Sequence, residues 1–260
     1  MYSFGQRLRS LRHGFWYRVS ERLGWSRGTY RETPARVLEL GGAEGERVAA
    51  LRERYGVRFE TRLSAATSRN NYEYLDILDG GWGALGLPRR RERASGGTLV
   101  DVGSASFWYA AALRAFFAPQ RMVGVEVEGH RLFRDGRTRI DYGRGYAADI
   151  PGAQFLVADY GGIDAPADVI TAWFPFLTPA AILAWRLPLS LLAPERLFAR
   201  IRHNLRSDGV FVMVNHGPAE ADLASTLCEA TGLRGLGRHE GGGPLSRHRS
   251  SLPILSAWVG

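Results

Sequence analysis

Beyond residue 97 short apolar runs alternate with helical patterns, and this alternation constrains the fold more than any other feature of the chain. Strand-like runs at 98–102, 122–127, 154–158, 168–173 and 209–214 are separated by helical segments at 107–117, 129–148, 195–205 and 220–231. Helices that link strands in this way cover both faces of a sheet, so the expected class is α/β, a doubly wound and mainly parallel sheet. The tail, Leu252 to Val259, reads as a last strand at an antiparallel edge. With 260 residues and 45% apolar content, the chain has enough material for one sizeable core.

The part before this alternation has a different character. All 34 basic residues of the chain are arginine, and the net charge of +8 is concentrated towards the N-terminus. The absence of lysine excludes Schiff-base chemistry. Residues 1–95 are expected to form a basic, aromatic-rich helical extension, and 96–260 the α/β domain, with the Arg89 to Gly97 run as the joint. In the extension, Phe4, Leu8, Leu11, Phe15 and Val19 recur at spacings of three and four, with Arg7, Arg9, Arg12, Arg18 and Arg22 on the remaining face. That is an amphipathic helix whose apolar stripe is expected to pack on the parent domain, with contact to nucleic acid or an anionic membrane as the less favoured use. A second helical pattern runs from Pro34 to Tyr55. Its glycine-rich Leu38 to Gly45 run is set aside as a cofactor loop, because 61–95 reads as helix and loop without matching strands, Gly80 to Gly83 being a turn.

Cys228 is the lone cysteine, so neither a disulfide nor a cysteine metal site is expected, and no metal is assigned. The N-terminus lacks a continuous apolar core, which makes the cytoplasm the default location. The uncharged stretch from Val169 is broken by Pro175 and Pro179 and reads as a buried strand followed by an apolar cap.

Ligands of a doubly wound sheet bind at the carboxyl ends of its strands. There the first strand carries Asp101 and a run of small residues, Gly103, Ser104, Ala105 and Ser106; the second ends in Glu126, and the third is followed by Asp159 and Tyr160. Three acids are thus expected to face one crevice. In order and spacing these residues resemble the class I S-adenosylmethionine-dependent methyltransferase superfamily, of bacterial type, over residues 97–260. The resemblance implies S-adenosylmethionine as cofactor. It places the methionine part on Asp101 and residues 103–106, the ribose hydroxyls on Glu126, and the adenine near Asp159, Tyr160 and Trp173. Ser104, Ala105 and Ser106 stand where the family loop is usually richer in glycine.

After the fourth strand the chain reads Trp173-Phe174-Pro175-Phe176 with no preceding Asn or Asp. That disfavours methylation of a nucleobase amine by the mechanism the family uses there. Phe174 and Phe176 are candidate substrate walls, with Tyr72 a further candidate among Asn70, Asn71, Tyr72 and Tyr74. His216 is the candidate base because its ordinary pKa lies near neutrality. The apolar run from Pro179 to Pro194 suits a hydrophobic or lipid-like small acceptor, or alternatively a homodimer interface. The expected function is methyl transfer to such an acceptor. A non-catalytic scaffold and an RNA methyltransferase are the alternatives.

Overall fold

The computed structural model describes residues 2–87, 97–241, 243–246 and 252–260. The Arg89 to Gly97 joint therefore lies, apart from Gly97, outside the described residues. The C-terminal part is built on strands β1 (Thr98–Val102), β2 (Arg121–Glu126), β3 (Ala153–Val157), β4 (Ala167–Trp173), β5 (Leu205–His216), β6 (Arg234–Glu240) and β7 (Pro253–Val259). They form one seven-stranded sheet in the order β3-β2-β1-β4-β5-β7-β6. The pairs among β1 to β5 are parallel, and β7 is antiparallel to both β5 and β6. This is a class I methyltransferase-like α/β fold.

Alternation of side chains along the strands divides the core. Leu99, Met122, Val169 and Val212 face one side with Phe107, Leu113 and Phe117. Val100, Val102, Ile170 and Phe211 face the other with Phe198 and Ile201. The first side is covered by α3 (Ala65–Ala84) and α4 (Ala110–Phe117), the second by α7 (Pro194–Asn204) and α8 (Gly217–Ala230). A parallel sheet needs both covers, which is why its strands read as nearly continuous apolar runs.

Several expectations are corrected. The last strand, β7, is not an edge: β6 lies outside it. β6 escaped notice because its sequence, RGLGRHE, has no apolar alternation and is almost wholly exposed. Its register shifts between Gly235 and Gly237, an irregularity that with its arginines discourages edge-to-edge pairing. The helix expected at 129–148 starts at Arg139 as α5 (Arg139–Ala148), where Thr138 and Asp141 form a capping box. Before it the chain loops back through a Leu132–Thr138 bridge. The helix expected from Pro34 starts at Gly42 as α2 (Gly42–Tyr55).

Gly80 to Gly83 is the last turn of α3 rather than a separate turn. Trp82 is buried there, and a Cβ on Gly81 would sit 3.0 Å from the Leu255 side chain. Close packing on β7 thus overrides the low helix propensity of glycine. α2 is tied to α3 by charge as well as by Val48, Leu51 and Tyr72. The Asp79 carboxylate, nearly buried, accepts from Arg47 at 2.8 Å, Arg54 at 3.0 Å and Tyr55 Oη at 2.5 Å.

The largest departure concerns α1 (Phe4–Leu23). Its expected apolar stripe does not pack on the domain: Phe4 is 83% and Leu11 70% exposed, and Leu8, Phe15 and Trp16 are exposed as well. The opposite, more polar face is turned inward. His13 and Gly14 are buried, Leu189 N donates to Ser10 Oγ at 2.9 Å, and Tyr17 Oη donates to the Val127 carbonyl at 3.1 Å. No helix among the described residues is long and apolar enough to cross a membrane.

Removing the Asp79 carboxylate leaves the Arg54 and Arg47 guanidinium groups without their shared buried partner. Arg47 keeps Asp76, and the buried Tyr55 hydroxyl loses its acceptor, so Asp79→Ala is expected to lower the unfolding free energy by about 2 kcal/mol, measured by urea denaturation.

Candidate functional site

A cavity of about 690 Å³ opens at the carboxyl ends of β1, β2, β4 and β5, within the size range of small-molecule sites. Its floor is the turn that follows β1. Gly103 has φ +69 and open space where a Cβ would stand. Ala105 and Phe107 also adopt positive φ, +48 and +57, without being glycine. The left-handed positions thus survive the replacement of glycine, at a cost of order 1 kcal/mol for each such residue. Phe107 is held in place by burial against Gly124 of β2, where a Cβ would come within 2.9 Å of its ring.

Glu126, the last residue of β2, fastens this turn. Its Oε2 accepts from Ala105 N at 2.8 Å and its Oε1 from Glu128 N at 2.9 Å. Each oxygen keeps further acceptor capacity. Arg139 stands behind it, almost fully buried at the start of α5, 3.1 Å from Glu128 and 3.7 Å from Glu126, with its guanidinium 5.4 Å from the Trp185 ring centre. Burial pushes the Glu128 carboxyl above its ordinary value, against the pull of Arg139 and Arg131.

The expected site residues divide into two groups. Gly103, Ala105, Glu126, Asp159, Tyr160, Trp173, Phe174, Phe176 and His216 all line the cavity, whereas Asp101, Ser104, Ser106 and Tyr72 do not. Asp101 is fully buried within β1. Its carboxylate accepts from Tyr109 Oη at 2.7 Å and Thr171 Oγ1 at 2.5 Å. Desolvation raises its pKa to about 7, with the nearby Glu126 charge adding to the rise and the two hydroxyl bonds opposing it. The expectation of three acids facing one crevice is therefore corrected. Asp101 is roofed by Tyr109, whose ring stacks on Tyr74 at 4.6 Å, and Tyr74 packs on Trp173 at 4.2 Å. Ser104 is equally sealed.

Tyr72 is buried between α2 and α3, where its hydroxyl bonds Glu60 at 2.9 Å. Helical spacing explains this: Asn70, Glu73 and Tyr74 share the face of α3 that lines the cavity, and Tyr72 points away. Asn71 is also structural, donating to the Trp108 carbonyl and accepting from Ala112 N.

At the adenine side expected from the resemblance, Asp159 caps a short turn by accepting from Gly161 N at 2.9 Å and pairs with Arg196 of α7. Tyr160 is buried, its hydroxyl bonded to Asn204 at 3.0 Å, and burial lifts its pKa to about 12. Trp173 Nε1 is buried and finds no hydrogen-bond partner among the described residues. His216 lies exposed at the rim, its ring stacked on Phe174 at 3.9 Å and its backbone N–H bonded to Glu220 at 2.6 Å. Opposite, α6 (Pro179–Ala184) and the turn after it contribute Trp185, Leu187 and Leu191, an apolar cap.

Glu73 and Arg139 are among the lining residues that the sequence did not single out. Glu73 shares the Asn70 and Tyr74 face, so helical periodicity points to it once that face is known. Arg139 reaches Glu126 only because residues 129–138 loop back. Among the described residues no cluster of acids, histidines or cysteine could hold a metal ion.

Neither a protein-family model nor a curated protein sequence matches the chain. Among solved structures it is similar to an S-adenosylmethionine-dependent methyltransferase from Clostridium acetobutylicum, with 8% identity over 82% of this chain and 98% of that one and a TM-score of 0.49. It is also similar to a SAM-dependent methyltransferase from Aquifex aeolicus, with 14% identity over 63% and 82% of the two chains and a TM-score of 0.47. For Trm5b from Pyrococcus abyssi the identity is 11% and the TM-score 0.43, and the match spans 65% of this chain and about half, 46%, of that protein. None of these likenesses carries a residue role or a substrate to this chain.

Asp101 makes stability depend on pH. Between an ordinary carboxylate pKa near 4 and the folded value of about 7, the folded state keeps a proton that the unfolded state has released, so stability falls as pH rises through that window. Asp101→Asn is expected to flatten this part of the profile, read as urea midpoints of both proteins across the window.

Proposed function

We propose that this chain binds S-adenosylmethionine at the strand ends and directs methyl transfer to a small apolar acceptor held beneath the 176–194 cap. The observation that carries the reading is the Glu126 carboxylate, anchored to Ala105 N and Glu128 N beside the left-handed turn. Its spare lone pairs line the cavity at the crevice where a doubly wound sheet receives nucleoside ligands. Vicinal ribose hydroxyls are the donors such a carboxylate pairs with.

Other features agree with this ligand. The cavity is lined by the carboxylates of Glu73, Glu126, Asp159 and Glu220 against the guanidinium groups of Arg139 and Arg196, an acidic balance suited to a sulfonium cation. Asp101 is sealed off, and Glu73, which lines the cavity from α3, is the carboxylate we propose for the ammonium of the methionine part. Tyr74, Trp108 and Trp173 supply flat apolar walls.

When bound, the cofactor supplies an electrophilic methyl group whose carbon–sulfur electron pair stays on sulfur as the new bond forms. The protein orients the acceptor in line and excludes water. Phe174, Phe176, Trp185 and Leu187 do so through apolar contact, and His216 at the rim is the group placed to take a proton from the acceptor. A second reading, cofactor binding without turnover, is favoured by the candidate base His216, which lies exposed at the rim with its ring stacked on Phe174.

Calorimetric titration with S-adenosylhomocysteine tests the binding. The native chain is expected to bind, and Glu126→Gln to bind at least about tenfold more weakly, the loss of charge-assisted hydrogen bonds. No binding to native protein, or an unchanged affinity in the variant, overturns the reading. Binding without methyl transfer to any apolar acceptor tried selects the second one.

A further inference from the structure

Helix α1 carries its apolar face away from the protein. On a helical wheel Phe4, Leu8, Leu11 and Phe15 fall within roughly 60° of one another, and all four are exposed. The face opposite, Ser10, His13 and Tyr17, makes the contacts with the domain through Leu189, the cap cluster and Val127. A surface helix whose role was to cover the core would be turned the other way.

The rims of the stripe are basic. Arg7 and Arg18 flank one side and Arg9 and Arg12 the other, with Arg22 in line at the end, and Glu21 is the one acid of the helix. Trp16 and Trp25 stand exposed beside them. Arginine stems can lie along an apolar layer while their heads remain among phosphates, and tryptophan favours a boundary with one apolar and one wet side.

We infer that α1 is a docking helix for an anionic lipid bilayer, with Phe4, Leu8, Leu11 and Phe15 entering the acyl boundary and the arginines meeting the headgroup phosphates. Charge decides against the other occupants. A second copy would bring two sets of five arginines together, and a nucleic acid would leave the leucines and phenylalanines against phosphate. The inference does not depend on what the cavity holds. α1 sits on the cap, through α6 and Leu189, and Leu187 and Leu191 of that cap line the cavity. Docking therefore holds the cap one helix diameter, roughly 10 Å, from the lipid surface.

The test uses the full chain with vesicles of equal parts phosphatidylglycerol and phosphatidylcholine, and with phosphatidylcholine alone. Cosedimentation with the mixed vesicles is expected, with a blue shift of tryptophan emission and weakening at high salt, and little binding to phosphatidylcholine. A Leu8→Ser, Leu11→Ser, Phe15→Ser variant, its fold checked by circular dichroism, is expected to bind at least roughly a hundredfold more weakly. An Arg9→Gln, Arg12→Gln, Arg18→Gln variant is expected to weaken binding and reduce its salt dependence. Any of these results overturns the inference: no partition onto the anionic vesicles, undiminished binding by the serine variant, or a dimer in sedimentation that the serine variant abolishes while native protein ignores vesicles. RNA binding that needs the arginines but not the stripe, without vesicle binding, overturns it too.

Discussion

A parallel sheet cannot leave a face to water, because its strands are apolar on both sides and each link between neighbouring strands must cross over a face. That constraint organises this molecule. α4, α5, α7 and α8 occupy the two faces together with α3, and the crossovers bring the turns after β1, β2, β3, β4 and β5 to one end of the sheet. The cavity is the space those turns enclose with α3 on one side and the apolar cap on the other. Its position follows from topology before any side chain is considered.

Within that space, charge is partitioned by burial. Asp101 pairs in register with Gly124, two residues short of Glu126, and among the described residues two hydroxyl donors, Tyr109 Oη and Thr171 Oγ1, relieve its desolvation. Glu126 ends its strand, so backbone amides of the adjacent turn and of Glu128 can reach it, and Arg139 adds a counter-charge. The difference between a structural acid and a ligand-facing one is thus two residues of depth along the same face of the sheet. The non-glycine left-handed residues Ala105 and Phe107 belong to the same arrangement. Their strain is tolerated because Glu126 holds the Ala105 amide and the core holds the Phe107 ring.

The N-terminal helices use two kinds of surface. α2 and α3 join the core through Leu51, Tyr72 and Leu75 and through the carboxylates that meet Arg47 and Arg54. α1 joins through a narrow, more polar strip, with His13 pushed below its ordinary pKa by burial and by Arg12 and its neighbouring arginines, against a raising backbone hydrogen bond with Leu187. Its apolar residues remain available, next to the cap that closes the cavity.

Hydrophobic period and glycine placement are local properties, and the sequence by itself determined what depends on them: the α/β class, strands β1 to β5, the amphipathic nature of α1 and the turn from Gly103 to Ser106. Glu126, Asp159, Trp173 and His216 were legible as lining residues because strand ends are. The edge strand β6 was not, since nothing in RGLGRHE alternates, nor was the helical end of α3, where Leu255 packs on Gly81. Tertiary structure alone decided that Asp101 is sealed, that Arg139 backs Glu126, that Tyr72 turns away where Glu73 turns in, and which face of α1 meets the protein. Each of these depends on the rotation or depth of one element against another. A repeat along the chain gives the shape of an element and leaves its neighbour unspecified.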